Sequence, residues 1–445
     1  MNTEVNTVVA HLFRQESGKL AATLARVFRL SRLEEVEDIV QDTMFAALAA
    51  WSFRGVPAYP TAWLHQVGRN KAVDYIRKRR HRDEEPLEHH PGLPDQVAEL
   101  ELERNFLSWE IADSQLRMMF ACCHPGIPVP AQIALTLKTL CGFSVREIAS
   151  AFLAKEETIE KRLGRARKYF RDHTVELEAP TGRALRERRG AVLASLYLLF
   201  NEGYKQTESE GLFDRDLCLE AIRLTRIVAE HPEVRSPEAF ALLALMTLVS
   251  ARFETRTNDR GEIVLLSEQD RSKWNRELVE HGMEYFARSE PDVNNSTYHL
   301  EAAIQSLHVT AATIETTDWP AILGLYKRLY AMKPSPIVAM HLSVAMGKVH
   351  GANAAIEQLL QSPLPDYYLY HALLGDAYAT ALCTAEARQS FTQAIALTKN
   401  AREKMLLKER LAKLSEEIEL KEPIRTDSDN AKSDDRCGGT AETHV

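Results

Sequence analysis

No run of eighteen apolar residues occurs anywhere in the 445 positions, and the first residues lack a basic-plus-apolar leader. The first absence argues against a membrane-spanning helix and the second against export, so a cytoplasmic protein without membrane attachment is expected. Cysteine is scarce: six scattered residues fit a reducing compartment better than a disulfide framework. Cys122, Cys123 and His124 stand together, but adjacent cysteines cannot form the usual CxxC chelate, and Cys141 lies 18 residues beyond Cys123. No metal and no cofactor is therefore expected. The two cysteines read instead as small apolar fillers at the end of a helix that Pro125 and Pro128 terminate. A recognisable nucleophile with its base is lacking too, so no catalytic residue is assigned and no enzyme is expected.

Net positive charge is also missing, the balance being -8, which makes its local concentration informative. Residues 69–82 carry Arg69, Lys71, Arg77, Lys78, Arg79, Arg80 and Arg82 against Asp74, a balance of +6. In an acidic protein this is the footprint of phosphate binding, with a solvated basic face as the plainer alternative. Trp63, Val67, Val73 and Ile76 recur at helical period and face inward, leaving Arg69, Asn70, Lys71, Asp74, Arg77 and Lys78 outside. The cations suit the phosphate backbone, whereas Gln66 and Asn70 carry the donor and acceptor pairs that address base edges.

Residues 34–51 repeat apolar side chains at 36, 39/40, 44, 47/48 and 51, the pattern of an amphipathic helix. Its other face, with Glu34, Glu35, Asp38, Gln41 and Asp42, suits a basic protein surface better than DNA, or is an ordinary solvent face. Between the two helices, residues 52–61 contain Gly55, Pro57 and Pro60 and read as a loop. Such a loop could receive an unstacked base, with Tyr59 as a stacking platform.

A second basic element follows Gly142. Ser144 and Glu147 fit a capping box, Ile148, Ala149 and Phe152 face inward, and the chain turns at residues 153–155. In the next helix Ile159, Leu163, Ala166 and Phe170 form the buried stripe, with Thr158, Lys161, Arg162 and Arg165 outside. This is the pattern of a helix-turn-helix, with Glu156, Glu157 and Thr158 at the end where base contacts are made; a plain helical hairpin is the bland alternative.

Taken together, the segments EDIVQDTMFAALAAW at 37–51, WLHQVGRNKAVDYIRKRR at 63–80 and the stretch 116–170 resemble a bacterial RNA polymerase sigma factor of the extracytoplasmic-function (ECF) group. The resemblance implies a non-catalytic partner of core RNA polymerase and promoter DNA. It makes Asp38, Gln41 and Asp42 polymerase contacts. It sets Tyr59, Trp63, Gln66, Arg69, Asn70, Lys71, Asp74, Arg77, Lys78 and Arg80 at the melted promoter element, and Glu157, Thr158, Lys161, Arg162 and Arg165 at the more distant one. The expected fold is all-α: two small helical sigma domains, 1–82 and 111–174, joined by a linker at 83–110, then a large helical extension.

The extension is the distinctive part. Leucine and alanine periodicity runs through it, and it resembles the C-terminal region of one sigma subgroup, with a family-specific helical domain at 175–330 and a tetratricopeptide-like region at 331–415. Gly375, Tyr378, Ala387, Phe391 and Ala394 have that repeat's spacing, an irregular bundle being the alternative. Where the subgroup has asparagine this chain has His341. Polar clusters at 201–204 (Asn201, Glu202, Gly203, Tyr204) and 268–274 (Glu268, Gln269, Asp270, Arg271, Trp274) suit caps and packing more than a ligand pocket, so a regulatory protein or a small ligand in this region stays open. Residues 416–445, with nine acidic against four basic residues, read as a disordered acidic tail. The competing functions are a ligand-responsive helix-turn-helix regulator and a tetratricopeptide-type scaffold, neither of which needs the helix at 34–51.

Overall fold

The computed structural model describes residues 2–28, 30–82, 108–152, 154–173, 175, 182–205, 215–258, 260–290, 295–398 and 400–421. The expected linker therefore lies almost wholly outside the described residues, and so does the tail beyond Lys421. The protein is all-α, as its periodicities require. It divides into two compact units, the first reaching residue 246.

In the first unit α1 (Asn2–Phe28), a 3-10 turn (Leu30–Arg32), α2 (Leu33–Arg54) and α3 (Pro60–Arg82) form one bundle. Leu20, Leu24 and Phe28 of α1 meet Val36, Val40, Met44 and Trp51 of α2 and Leu64 and Ala72 of α3 in its core. Gly68 lets α3 approach closely, since a Cβ there would sit 3.1 Å from Leu20 Cδ2. A polar tie joins α1 to α3: Glu16 lies 2.9 Å from His65 Nε2 and accepts from Lys19 Nζ at 2.8 Å. Burial opposes its charge, but these two hydrogen bonds outweigh burial and hold the carboxyl below its usual range.

The loop between α2 and α3 is shorter than the composition suggests. Gly55, at φ +76°, caps α2 by donating to Trp51 O at 2.9 Å, and Pro60 opens α3, where its missing N–H leaves nothing unsatisfied. Helix formation thus takes over residues 52–54 and 60–61, and residues 55–59 make the connection.

The same unit continues with α4 (Ser108–Cys122), α5 (Val129–Leu140), α6 (Val145–Ala151), α7 (Glu156–Asp172), α8 (Gly182–Lys205), α9 (Arg215–Glu230) and α10 (Pro237–Ser250), within which the division between units falls. From Ala131 to Leu137 every residue of α5 is buried, because α1, α4, α7 and α8 all pack against it. The helices of the extension nearest to α7 thus share this core rather than lying apart from it. Arg188 of α8 donates to Phe120 O at 3.4 Å, and Arg223 of α9 donates to Gln115 Oε1 at 3.1 Å. Cys122 and Cys123 are buried at the end of α4, and burial pushes the Cys123 thiol up to about 12, which removes its nucleophilic form at neutral pH.

The second unit holds a 3-10 turn (Arg271–Lys273) and helices α11 (Arg276–Arg288), α12 (Thr297–Thr310), α13 (Trp319–Met332), α14 (Pro336–His350), α15 (Ala352–Leu360), α16 (Tyr368–Thr380), α17 (Thr384–Leu397) and α18 (Ala401–Lys421). Starts are chemically marked: Asp318 accepts from Ala321 N before α13, and Ser335 accepts from Val338 N before α14, each with a proline in the first turn. Three cores overlap along the chain. Ile304, Ile322 and Leu342 join α12 to α14; Met340, Leu359 and Tyr370 join α14 to α16; Ala372, Phe391 and Leu407 join α16 to α18.

The polar cluster at 268–274 is structural. Asp270 caps the 3-10 turn through Ser272 N, and Arg271 donates to His308 O at 2.8 Å, Ala311 O at 2.9 Å and Thr317 Oγ1 at 3.1 Å. Burial, with Arg252 and Arg271 nearby, pushes the His308 imidazole down to about 4. A base with a depressed folded pKa contributes stability above its unfolded pKa, and loses it as pH falls toward the folded value. Acidification from about 6.5 to 4 should therefore cost this unit up to about 3 kcal/mol. In chemical denaturation followed by tryptophan fluorescence, His308→Leu should flatten that pH dependence; an unchanged slope would place the acid sensitivity elsewhere.

Candidate protein and nucleic-acid interfaces

The α2 helix buries Val36, Ile39, Val40, Thr43, Met44, Ala47 and Trp51, and the opposite stripe is left to solvent. Asp38, Gln41 and Asp42 are exposed on that stripe, and Phe45 follows one turn on at 66% exposure. An exposed phenylalanine flanked by two carboxylates and an amide offers a partner both an apolar anchor and polar register. Phe45 was invisible to the charge pattern; only its position beside Asp42 on the polar face could have singled it out.

At the end of the same helix Phe53 (90%), Val56 and Tyr59 (79%) are exposed around the short loop. Trp63 is half-buried and meets Trp51 edge-on, with ring centroids 5.3 Å apart, so its ring is held by the core while its rim faces outward. Along α3, Gln66 Nε2 donates to Asn70 Oδ1 at 3.0 Å on the exposed surface. Asp74, Arg77 and Lys78 are exposed, and Arg69 and Lys71 half-buried. Arg80 lies on the last turns of α3, its side chain outside the described residues.

The expected capping box is present: Ser144 N donates to Glu147 Oε2 at 2.8 Å and Glu147 N to Ser144 Oγ at 3.2 Å. Helix α7 buries Ile159, Leu163, Ala166 and Phe170, and exposes Glu157, Thr158, Lys161 and Arg165. Arg162 is half-buried, its guanidinium 5.1 Å from the Phe152 ring centroid, which fixes the turn between α6 and α7. Farther along, Tyr169 stacks on His173 at 4.2 Å and faces His124 at 5.3 Å.

Sequence reasoning left one set of contacts unseen. Arg167 Nη2 donates to Glu37 Oε2 at 2.5 Å, Thr139 Oγ1 donates to Glu37 Oε1 at 3.2 Å, and Arg171 lies 3.1 Å from Glu34. The flank of α7 thus meets the flank of α2.

Comparison with known proteins agrees with this division. A sigma-70 region 2 family matches residues 12–82, a sigma-70 region 4 family residues 117–169, and a family of unknown function (DUF6596) residues 188–290. The uncharacterized protein R00370 of Rhizobium meliloti (strain 1021) is 36% identical over 397 residues, covering 88% of this chain and 93% of that protein. ECF RNA polymerase sigma factor SigM of Mycobacterium tuberculosis is 28% identical over 148 residues, 32% of this chain and 68% of its own length. ECF RNA polymerase sigma factor SigF of Caulobacter vibrioides is 38% identical over 79 residues, 17% of this chain and 44% of its own. No solved structure matches.

Two sigma-type modules, one in α1–α3 and one in α4–α7, define an ECF-like sigma factor, a DNA-binding protein of transcription initiation. Over nearly its whole length the chain belongs to the family of the Rhizobium meliloti protein R00370; in this chain a long helical region follows those modules.

Proposed function

We propose that this chain binds core RNA polymerase, directs it to specific promoters and assists their melting, with the helices after α7 acting as a fused regulatory region. The observation that carries the reading is the stripe Asp38, Gln41, Asp42, exposed on a helix that is followed within five residues by the basic helix α3. A ligand-responsive regulator would need only α6 and α7. Asp38, Gln41 and Asp42 contact polymerase; Tyr59, Trp63, Gln66, Asn70 and the cations of α3 hold the opened strand; Glu157, Thr158, Lys161, Arg162 and Arg165 read the distant element. Core polymerase supplies the nucleotidyl-transfer chemistry, while the sigma chain contributes positioning and offsets part of the unstacking cost.

The second unit acts as a tetratricopeptide-like array. Its three overlapping cores support this, as does Gly375, where a Cβ would lie 2.7 Å from the Phe391 ring. His341, exposed on α14 and stacked on Tyr326 at 5.9 Å, would present an imidazole to whatever that surface meets.

Run-off transcription with purified core polymerase and a genomic promoter library tests the proposal. Wild type should give promoter-specific transcripts and Asp38→Ala/Gln41→Ala should lose them, since truncating a few anchors commonly removes most of an interface's affinity. Sequence-specific DNA binding without transcripts would favour the ligand-responsive regulator instead.

A further inference from the structure

We infer that the cluster around Arg271 and His308 in the second unit is a binding site for a small oxyanion, a carboxylate or a phosphate, held by an indole N–H, an imidazole nitrogen and a guanidinium. The inference does not depend on the sigma-factor reading.

Arg271 fastens its 3-10 turn to the end of α12 and to the stretch before α13, and this takes three of the five N–H groups of a guanidinium. All three acceptors are neutral: the carbonyls of His308 and Ala311 and the hydroxyl of Thr317. One N–H on Nε and one on Nη2 remain, on the side chain best suited to carboxylates and phosphates. Two further groups meet the same guanidinium. Its carbon lies 5.1 Å from the ring centroid of Trp274, and its Nη1 lies 2.8 Å from the backbone of His308. Trp274 is 5% and His308 7% exposed, and both Trp274 Nε1 and His308 Nδ1 are buried without a hydrogen-bond partner. An indole nitrogen can only donate, and Nδ1 of a neutral imidazole donates in one tautomer. Packing alone does not require this, since Trp319, in the same cluster, donates its indole N–H to Ile314 O at 3.2 Å.

The charges around the cluster agree with an anion. After burial, Arg252 is the neighbour that most depresses the His308 imidazole, and it also works against the charge of Arg271. Both effects reverse when negative charge is placed between them. Trp319 meets His308 edge-on at 5.5 Å, and on that ring sits Lys348 Nζ, 5.8 Å from its centroid, a further cation at the exposed edge. The carboxylates of the neighbourhood leave the buried nitrogens alone: Glu315 is exposed and hydrogen-bonded to Thr313, and Glu301 acts on Tyr298 and Tyr326.

The test uses the full chain with isotope-labelled indole nitrogens, read by NMR. Inorganic phosphate and acetate are each titrated against chloride at equal ionic strength. One of them should move the Trp274 indole signal saturably, while Trp51, Trp63 and Trp109 stay in place as internal controls. A stronger response to phosphate assigns a phosphate site, and a stronger response to acetate a carboxylate site. In Trp274→Phe, followed at the Trp319 indole, a ring still lies under Arg271 but the donor is gone. Affinity should fall on the order of tenfold, as for the loss of one hydrogen bond to a charged group. Arg271→Lys, which keeps the charge without the fork, should abolish saturation. Because Arg271 also fastens the turn, Lys348→Ala provides a variant on the exposed edge: it should weaken binding with every indole signal of the free chain unmoved. A Trp274 signal that responds to neither anion beyond chloride overturns the site, as does wild-type affinity in both Trp274→Phe and Lys348→Ala.

Discussion

Ending the chain after residue 175 is expected to unfold the α4–α7 module rather than to release an active minimal factor. α5 is surrounded by α1, α4, α6, α7 and α8, and the truncation deletes one of those five walls. On the deleted side Val192, Leu193, Leu196 and Leu199 are buried on α8, and Leu217, Ala221 and Leu224 on α9. Uncovering even a few of the large side chains they protect costs about 1.5–3 kcal/mol each, and a handful of these approaches the whole stability of a domain, about 5–15 kcal/mol. The Phe120 carbonyl also loses Arg188, and Gln115 loses Arg223. The fragment 1–175 should therefore aggregate or melt without cooperativity, while 1–232, which keeps α8 and α9, should retain a cooperative calorimetric transition. A monomeric, cooperatively melting 1–175 fragment would show that the extension is separable after all. Loss of transcription from the shorter fragment would accordingly say nothing about regulation; cuts beyond α9 are needed to ask whether the second unit activates or restrains.

Reversing charge at the solvent stripe of α7 should have the next largest effect. Lys161 and Arg165 are exposed, and Lys161 pairs with Glu157 at 2.7 Å, a surface pair that adds little stability, so Lys161→Glu/Arg165→Glu should fold normally. Each phosphate contact contributes about 0.9 to the slope of log affinity against log salt, and placing two carboxylates where two cations stood should weaken promoter binding on the order of a hundredfold. Fluorescence anisotropy of the holoenzyme on promoter DNA at several salt concentrations reads both quantities. A slope that stays the same would mean that this stripe does not face DNA.

Local chemistry explains what could be read from the chain. The capping box of Ser144 and Glu147 needs only four residues, and the stripe Ile159, Leu163, Ala166, Phe170 only a helical period, so both stand in the structure as the pattern implied. Arg162 departs from its outward assignment because Phe152 offers its ring, a contact across a turn that period counting does not weigh. α5 was illegible as an amphipathic helix for the opposite reason: its polar residues Gln132, Thr136 and Thr139 are themselves buried, so polarity does not mark a solvent face. Glu37 and Arg167 lie 130 positions apart, and nothing local to either distinguishes a member of this ion pair from an ordinary surface charge. Gly18 is similar, since its significance comes entirely from Leu140 O.

The overlapping cores of the second unit carry a consequence for how such chains change over time. Because α14 belongs to two clusters and α16 to two, each helix hairpin is held only by its immediate neighbours, and a hairpin can be gained or lost without rewriting distant packing. The first unit has no such freedom, since α5 is gripped by five helices drawn from the full span of α1 to α8. Insertions and deletions of whole hairpins should thus accumulate after α11 and be rare before it, so that the second unit varies in length while the first keeps its own.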